Sequence, residues 1–136
     1  MTARTELRLQ VVQVPVSDVD RAKAFYTDKV GFDADHDTQV DDKVRVVQLT
    51  PPGSACSIVV GTGLTTMEPG SVQGLQLVVD DIAAAHAELV GRGLEMSEIQ
   101  ELGAPGRSVV KFAFFSDPDG NGWAVQEKLA RGRPAG

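Results

Sequence analysis

A chain of 136 residues is one domain's worth of sequence and buries roughly two-thirds of its unfolded surface on folding, which excludes two independent large domains. With 42% hydrophobic and 24% charged residues it has the balance of a globular protein, which excludes disordered and collagen-like classes. Thirteen Lys and Arg against nineteen Asp and Glu leave a formal net charge of -6, and no basic cluster could follow a phosphate backbone, so no nucleic-acid partner is expected.

The opening MTARTELRLQ lacks the apolar stretch of a signal peptide, and no apolar run in the chain reaches the ~18 residues of a membrane span. A cytoplasmic protein with no membrane partner is expected. Leu7 to Val16 is valine-rich and alternates imperfectly, which predicts a strand. Ser17 and Asp18 offer N-cap oxygens, and Ala22, Phe25, Tyr26 and Val30 recur at helical spacing. Gly31 stands at the left-handed C-cap, so Val19 to Val30 is predicted as a helix. Three strands follow: Phe32 to Asp37, Val44 to Thr50 and Cys56 to Gly61, the last two joined by the Pro51-Pro52-Gly53 turn. Cys56 is the only cysteine, which excludes an internal disulfide and a Cys-rich zinc site and makes a reducing compartment the default.

After Pro69 and Gly70 the same order returns. Leu75 to Val79 reads as a strand, with Asp80 or Asp81 capping a helix marked by Ile82, Ala85, Leu89 and Val90 and ending near Gly91 or Gly93. Strands at Glu95 to Glu101, Val109 to Phe115 and Gly122 to Glu127 complete the second half. VVQVPVSDVDRAKAFY from Val11 lies over GLQLVVDDIAAAHAEL from Gly74 without a gap, and VQLTPPGSACSIVV from Val47 lies over FFSDPDGNGWAVQE from Phe114. An internal repeat constrains the fold more than any local propensity. It predicts a single α+β domain of two tandem βαβββ modules, about residues 7–61 and 74–127, with residues 129–136 a flexible tail.

A duplicated module that opens with PVSDVDRAKAFYTDKVGF and closes with FSDPDGNGWAVQE resembles the vicinal oxygen chelate superfamily of glyoxalases, extradiol dioxygenases, fosfomycin-resistance enzymes and bleomycin-binding proteins. The resemblance covers nearly the whole chain. It implies two half-open cups around one cavity and a homodimer. It also implies, in catalytic members, a divalent metal held by two side chains from each module. The positions that carry those ligands are here Val11, Ser57, Gly74 and Ala124. Valine, glycine and alanine have no side-chain donor and a neutral serine is a poor ligand, so neither a metal nor another cofactor is expected.

Strand parity then places Gln13 beside Val11, Gln76 and Val78 beside Gly74, Val59 beside Ser57, and Gln126 beside Ala124 on the cavity face. These nine residues form the predicted ligand-binding set. A carboxamide both donates and accepts, which suits orientation of a polar organic ligand, and it equally suits glutamines that bond each other, water or a partner chain. Asp33, Asp35, Asp37, Asp41 and Asp42 surround His36, but regular alternation puts residues 33, 35 and 37 on one face and His36 on the other, which reads as a solvated edge hairpin. Cys56 and Trp123 have core parity. His86 reads as a helix-surface or core-margin residue, and Ser17, Asp18 and Asp81 read as caps.

Two functions are compatible with this set. One is a container that holds a small organic molecule without metal. The other is a lyase, isomerase or dioxygenase of the superfamily with a metal-independent or relocated site. The counted face shows no His, Asp, Glu or Lys near its centre apart from Asp80 at a strand end, so no catalytic residue is assigned and binding is preferred.

Overall fold

The computed structural model describes residues 4–103 and 109–129. Two sheets of four strands each carry a helix. The first module runs β1 (Val11–Gln13), α1 (Val19–Ala24), a π-helical continuation over Phe25–Val30, then β2 (Asp33–Gln39), β3 (Arg45–Thr50) and β4 (Ser57–Thr62). The second runs β5 (Leu75–Val79), α2 (Ile82–Gly91), β6 (Gln100–Leu102), β7 (Val110–Ser116) and β8 (Gly122–Glu127). The sheet orders β1-β4-β3-β2 and β5-β8-β7-β6 are the same order twice, as the repeat predicts. Among the described residues no helix is long and apolar enough to cross a membrane.

Local chemistry accounts for the element boundaries. Asp18 and Asp81 are the N-caps, their carboxylates accepting from the backbone N–H of Arg21 at 3.0 Å and of Ala84 at 3.1 Å. Gly31 closes the first helix at φ 89°, a left-handed position that costs a side-chain-bearing residue energy. Two strands are shorter than the sequence predicts. β4 begins at Ser57, so the β1 ladder has a partner only from Gln10 onward, where the Ser57 N–H donates to the Gln10 carbonyl at 2.8 Å. Leu7 and Leu9, upstream of that point, stand 90% and 70% exposed. Likewise only Gln100 and Glu101 of the predicted Glu95–Glu101 segment pair with β7, in a strand that runs one residue further, to Leu102. Residues 130–136 of the predicted tail lie outside the described residues.

One core serves both modules. Val14, Val47, Leu49, Ile58 and Val60 of the first sheet and Phe115, Trp123 and Val125 of the second belong to one buried cluster with Val19, Ala22, Tyr26 and Leu89 of the helices. The helix-bearing faces of both sheets therefore contribute to the same interior, and the helix-free faces, called open faces below, lie away from it. Tyr26 sits at the junction, fully buried, with its ring centroid 5.5 Å from Phe32 and 5.7 Å from Trp123. Its hydroxyl donates to Asp117 at 2.8 Å and accepts from the Trp123 indole N–H at 2.9 Å.

Burial, and next the charge of Asp117 beside it, hold the Tyr26 phenol far above the ordinary tyrosine range. In the unfolded chain the phenol ionises near pH 10, about its ordinary value. The raised folded value means that the contribution is complete below about pH 10 and is lost above it, by about 1.4 kcal/mol per pH unit. Tyr26 is the only tyrosine. An alkaline titration is therefore expected to show tyrosinate absorbance rising together with loss of far-ultraviolet circular dichroism. Tyrosinate formed near pH 10 with the dichroism intact would contradict the buried pair.

Candidate functional site

The open face of the first sheet is built around β4. Val11 pairs with Ser57 and Gln13 with Val59 across the parallel β1–β4 ladder, so these four predicted residues share one face. Val11 is 37% exposed and Gln13 is exposed, whereas Ser57 and Val59 are buried. Gln48, opposite Val59 on β3, donates its amide N–H to Ser57 Oγ at 3.1 Å. The Thr50 hydroxyl lies 2.6 Å from Ser57 Oγ and donates to the Asp35 carboxylate.

The acidic strand departs from the regular alternation expected of it. A register shift between Ala34 and His36 makes Asp35 the extra residue of a bulge. His36 therefore pairs with Gln48 and shares the open face, as does Asp33 opposite Thr50. Asp37, opposite the fully buried Val47, goes to the helix side. There Asp37 takes two bonds from Arg45 at 3.0 and 2.8 Å and one from Lys23 at 2.8 Å, which hold its carboxyl well below the usual carboxylate range. An aspartate and a histidine thus do stand on the open face, which the uninterrupted alternation kept apart.

On the second sheet, Gln76 pairs with Ala124 and Val78 with Gln126, and all four share the open face. The repeat aligns Ala124 with Ser57, yet Ser57 pairs with Val11 whereas Ala124 pairs two residues beyond Val11's counterpart, Gly74. An offset of two preserves parity, so the face is unchanged while the neighbours differ. Gln76 Nε2 donates to Gln126 Oε1 at 2.5 Å, which realises for these two glutamines the mutual bond that the sequence left open. The same face carries Phe112 opposite Gln126 and Phe114 opposite Ala124, two rings in edge contact at 5.3 Å. Phe114 is 45% exposed, and together with Gly74 and Ala124 it lines a hollow of about 320 Å³. The small residues leave room and the ring supplies a wall. Neither ring is among the nine predicted residues, although their parity relative to the core residue Phe115 would place them there.

Val11 and Ser57 lie on one sheet, Ala124 lies on the other, and Gly74 immediately precedes β5 of that second sheet. The hollow at Gly74 and Ala124 is lined by Gln73, Gly74 and residues of β7 and β8, all from the second half of the chain. Three of these four positions have no side-chain donor and the Ser57 hydroxyl is already bonded twice, so the set does not fit a divalent ion. Among the described residues no group of three or more His, Cys, Asp or Glu is placed to hold a metal. His86 bonds the Ser97 carbonyl at 2.9 Å, and the Trp123 ring is buried against Tyr26 and Phe115. A larger groove of about 580 Å³ lies beside the start of α1, where the Arg45–Asp20 ion pair and the Gly61–Gly63 turn form its wall. It is open to solvent and holds none of the predicted residues.

The Glyoxalase/Bleomycin resistance protein/Dioxygenase superfamily model matches residues 8–125. The chain belongs to this superfamily. Among solved superfamily structures it is similar to TnmS3, an antibiotic binding protein from Streptomyces sp. CB03234, at 37% identity and a TM-score of 0.76, over 92% of this chain and 98% of that one. A glyoxalase/bleomycin resistance protein from the same organism is 38% identical with a TM-score of 0.71, over 87% and 98% of the two chains. Uncharacterized protein YetH of Bacillus subtilis is 29% identical over 124 residues, which are 88% of this chain and 98% of that protein.

Proposed function

We propose that the chain is a container that holds a small aromatic organic molecule without metal, and that a second copy closes the container. The observation that carries this reading is the second open face, where exposed Phe114 and its neighbour Phe112 border a hollow floored by glycine and alanine. A ring-shaped ligand can stack there, and the nearby glutamines supply amide groups to orient it. Val11, Gln13, Ser57 and Val59 form the opposite wall, and Gly74, Gln76, Val78, Ala124 and Gln126 the aromatic one. The likeness to a protein described as antibiotic binding supports a sequestering role. The homodimer draws support from the exposure of Leu9, Val11, Val78, Leu102 and Phe114, a density of apolar surface that a closed pair of copies would cover.

Titration of the purified protein with 2-naphthol in the presence of EDTA tests the container. Saturable binding is expected, unchanged by the chelator, and Phe114→Ala is expected to weaken it by about 0.5–1.5 kcal/mol, the worth of an aromatic pair. The fold is expected to persist in that variant because Phe114 lies outside the core. Unchanged affinity in Phe114→Ala would place the ligand elsewhere, and loss of binding with EDTA would restore a metal to the site. Sedimentation equilibrium checks the pairing, for which a mass of twice the chain is expected.

A further inference from the structure

The first open face carries one continuous hydrogen-bonded run, Gln48 to Ser57 to Thr50 to Asp35. Its direction follows from valence. An ionised aspartate only accepts, so the single hydroxyl hydrogen of Thr50 is committed to Asp35. Thr50 Oγ1 must then accept from Ser57, and Ser57 Oγ in turn accepts from the Gln48 amide. Every hydroxyl hydrogen of the run is used within it. At Ser57, Thr50 and Asp35 only lone pairs remain for anything outside.

The surroundings do not reverse that polarity. Asp33 stands opposite Thr50 on the same face. Lys23 and Arg45 are bonded to Asp37 on the helix side. Donors on that face stand beside the run: His36, according to its protonation, the second amide N–H of Gln48 and the Gln13 carboxamide.

We propose that this polarised run makes the Ser57–Thr50–Asp35 stretch of the first open face a hydrogen-bond-accepting strip, so that the molecule held in the container presents a donor, a protonated amine or a hydroxyl, toward it. The inference rests on the container reading and names the chemical class of its occupant. Asp35 sets the direction and Thr50 transmits it, which makes both specificity-determining residues. A carboxylate ligand meets lone pairs with lone pairs and a negative charge with two aspartates, so it is rejected.

Calorimetric titration at neutral pH with three probes of one ring system tests this: 2-naphthylmethylammonium, 2-naphthol and 2-naphthoate. The parent is expected to bind the ammonium at least tenfold more tightly than the carboxylate, with the neutral hydroxyl between them. Asp35→Asn, which keeps the shape but can donate, is expected to bring the ammonium and carboxylate within about threefold of each other. Thr50→Val keeps the shape and cuts the run, and it is expected to narrow the ratio likewise while Asp35 remains in place. Carboxylate binding as tight as ammonium binding in the parent would overturn the inference and leave the container reading standing. So would a parent preference that survives unchanged in both variants. Failure of all three probes to bind would instead remove the container reading, and this inference with it.

Discussion

Replacing Asp117 by alanine is expected to destabilise the protein by about 3–5 kcal/mol, among the largest effects available to a single polar residue here. The carboxylate is 5% exposed and accepts from four donors: the Tyr26 hydroxyl at 2.8 Å, the Asn121 side-chain amide at 2.8 Å, and the backbone N–H groups of Asp119 at 3.0 Å and Asn121 at 2.9 Å. Its loss strands those donors in an interior where each unmatched group costs about 1–3 kcal/mol. Two of the four tie distant parts of the chain together. Tyr26 belongs to the first helix, and Asn121, held by Asp117, also donates to the Pro15 carbonyl at 2.8 Å and accepts from the Val72 N–H at 3.0 Å. Damage at this turn therefore loosens the junction of the modules. Chemical denaturation followed by fluorescence of the single tryptophan, Trp123, measures the loss, because its indole N–H bonds Tyr26 in the same network. A midpoint shift equivalent to less than about 1 kcal/mol would mean that the carboxylate is not the hub described.

Gly70→Ala is expected to cost about 2–4 kcal/mol, through backbone geometry alone. Gly70 has φ 83°, where a side chain is strained by roughly 1–2 kcal/mol, and a Cβ placed there would lie 2.1 Å from the Asp119 carbonyl oxygen. Backbone oxygen cannot rotate away. The residue is wedged between the β1–α1 connection, through its N–H bond to the Pro15 carbonyl at 3.2 Å, and the Asp117–Asn121 turn. Gly53 offers the control: it too has positive φ, 82°, but no atom lies within 4 Å of an added Cβ. Gly53→Ala is expected to show only the conformational part. Equal thermal shifts for the two variants would show that the close approach at Gly70 is absent.

The order of elements was legible because periodicity and caps depend on neighbours in sequence. β5 and β8 occupy the predicted spans, and the first helix covers Val19 to Val30 as its apolar spacing requires, although its second half is π-helical. What was not legible depends on partners distant in the chain. The extent of β1 is limited by where β4 starts, and the bulge at Asp35 has no glycine or proline to announce it. That single extra residue moved His36 onto the open face and Asp37 off it, so the parity argument was sound on either side of the bulge and failed across it. Phe112 and Phe114 were accessible to parity, but an FAFF run reads first as core, and only Phe115 of its three rings is buried.

The two walls differ in how freely they can change. Gln76, Val78, Phe114 and Gln126 are outside the shared core, so substitutions there are expected to leave folding nearly untouched, within about 0.5 kcal/mol at the exposed sites. Ser57, buried and bonded to two side chains, belongs to a set in which each member fixes the next. In the proposed container, a lineage carrying this fold can therefore alter the size and outline of its ligand by single steps on the aromatic wall. A single change at Asp35 or Thr50 would erase the proposed polarity, but reversing it requires replacement of several linked residues. Molecular shape is then the trait that drifts in either direction, and inversion of charge preference the slow one.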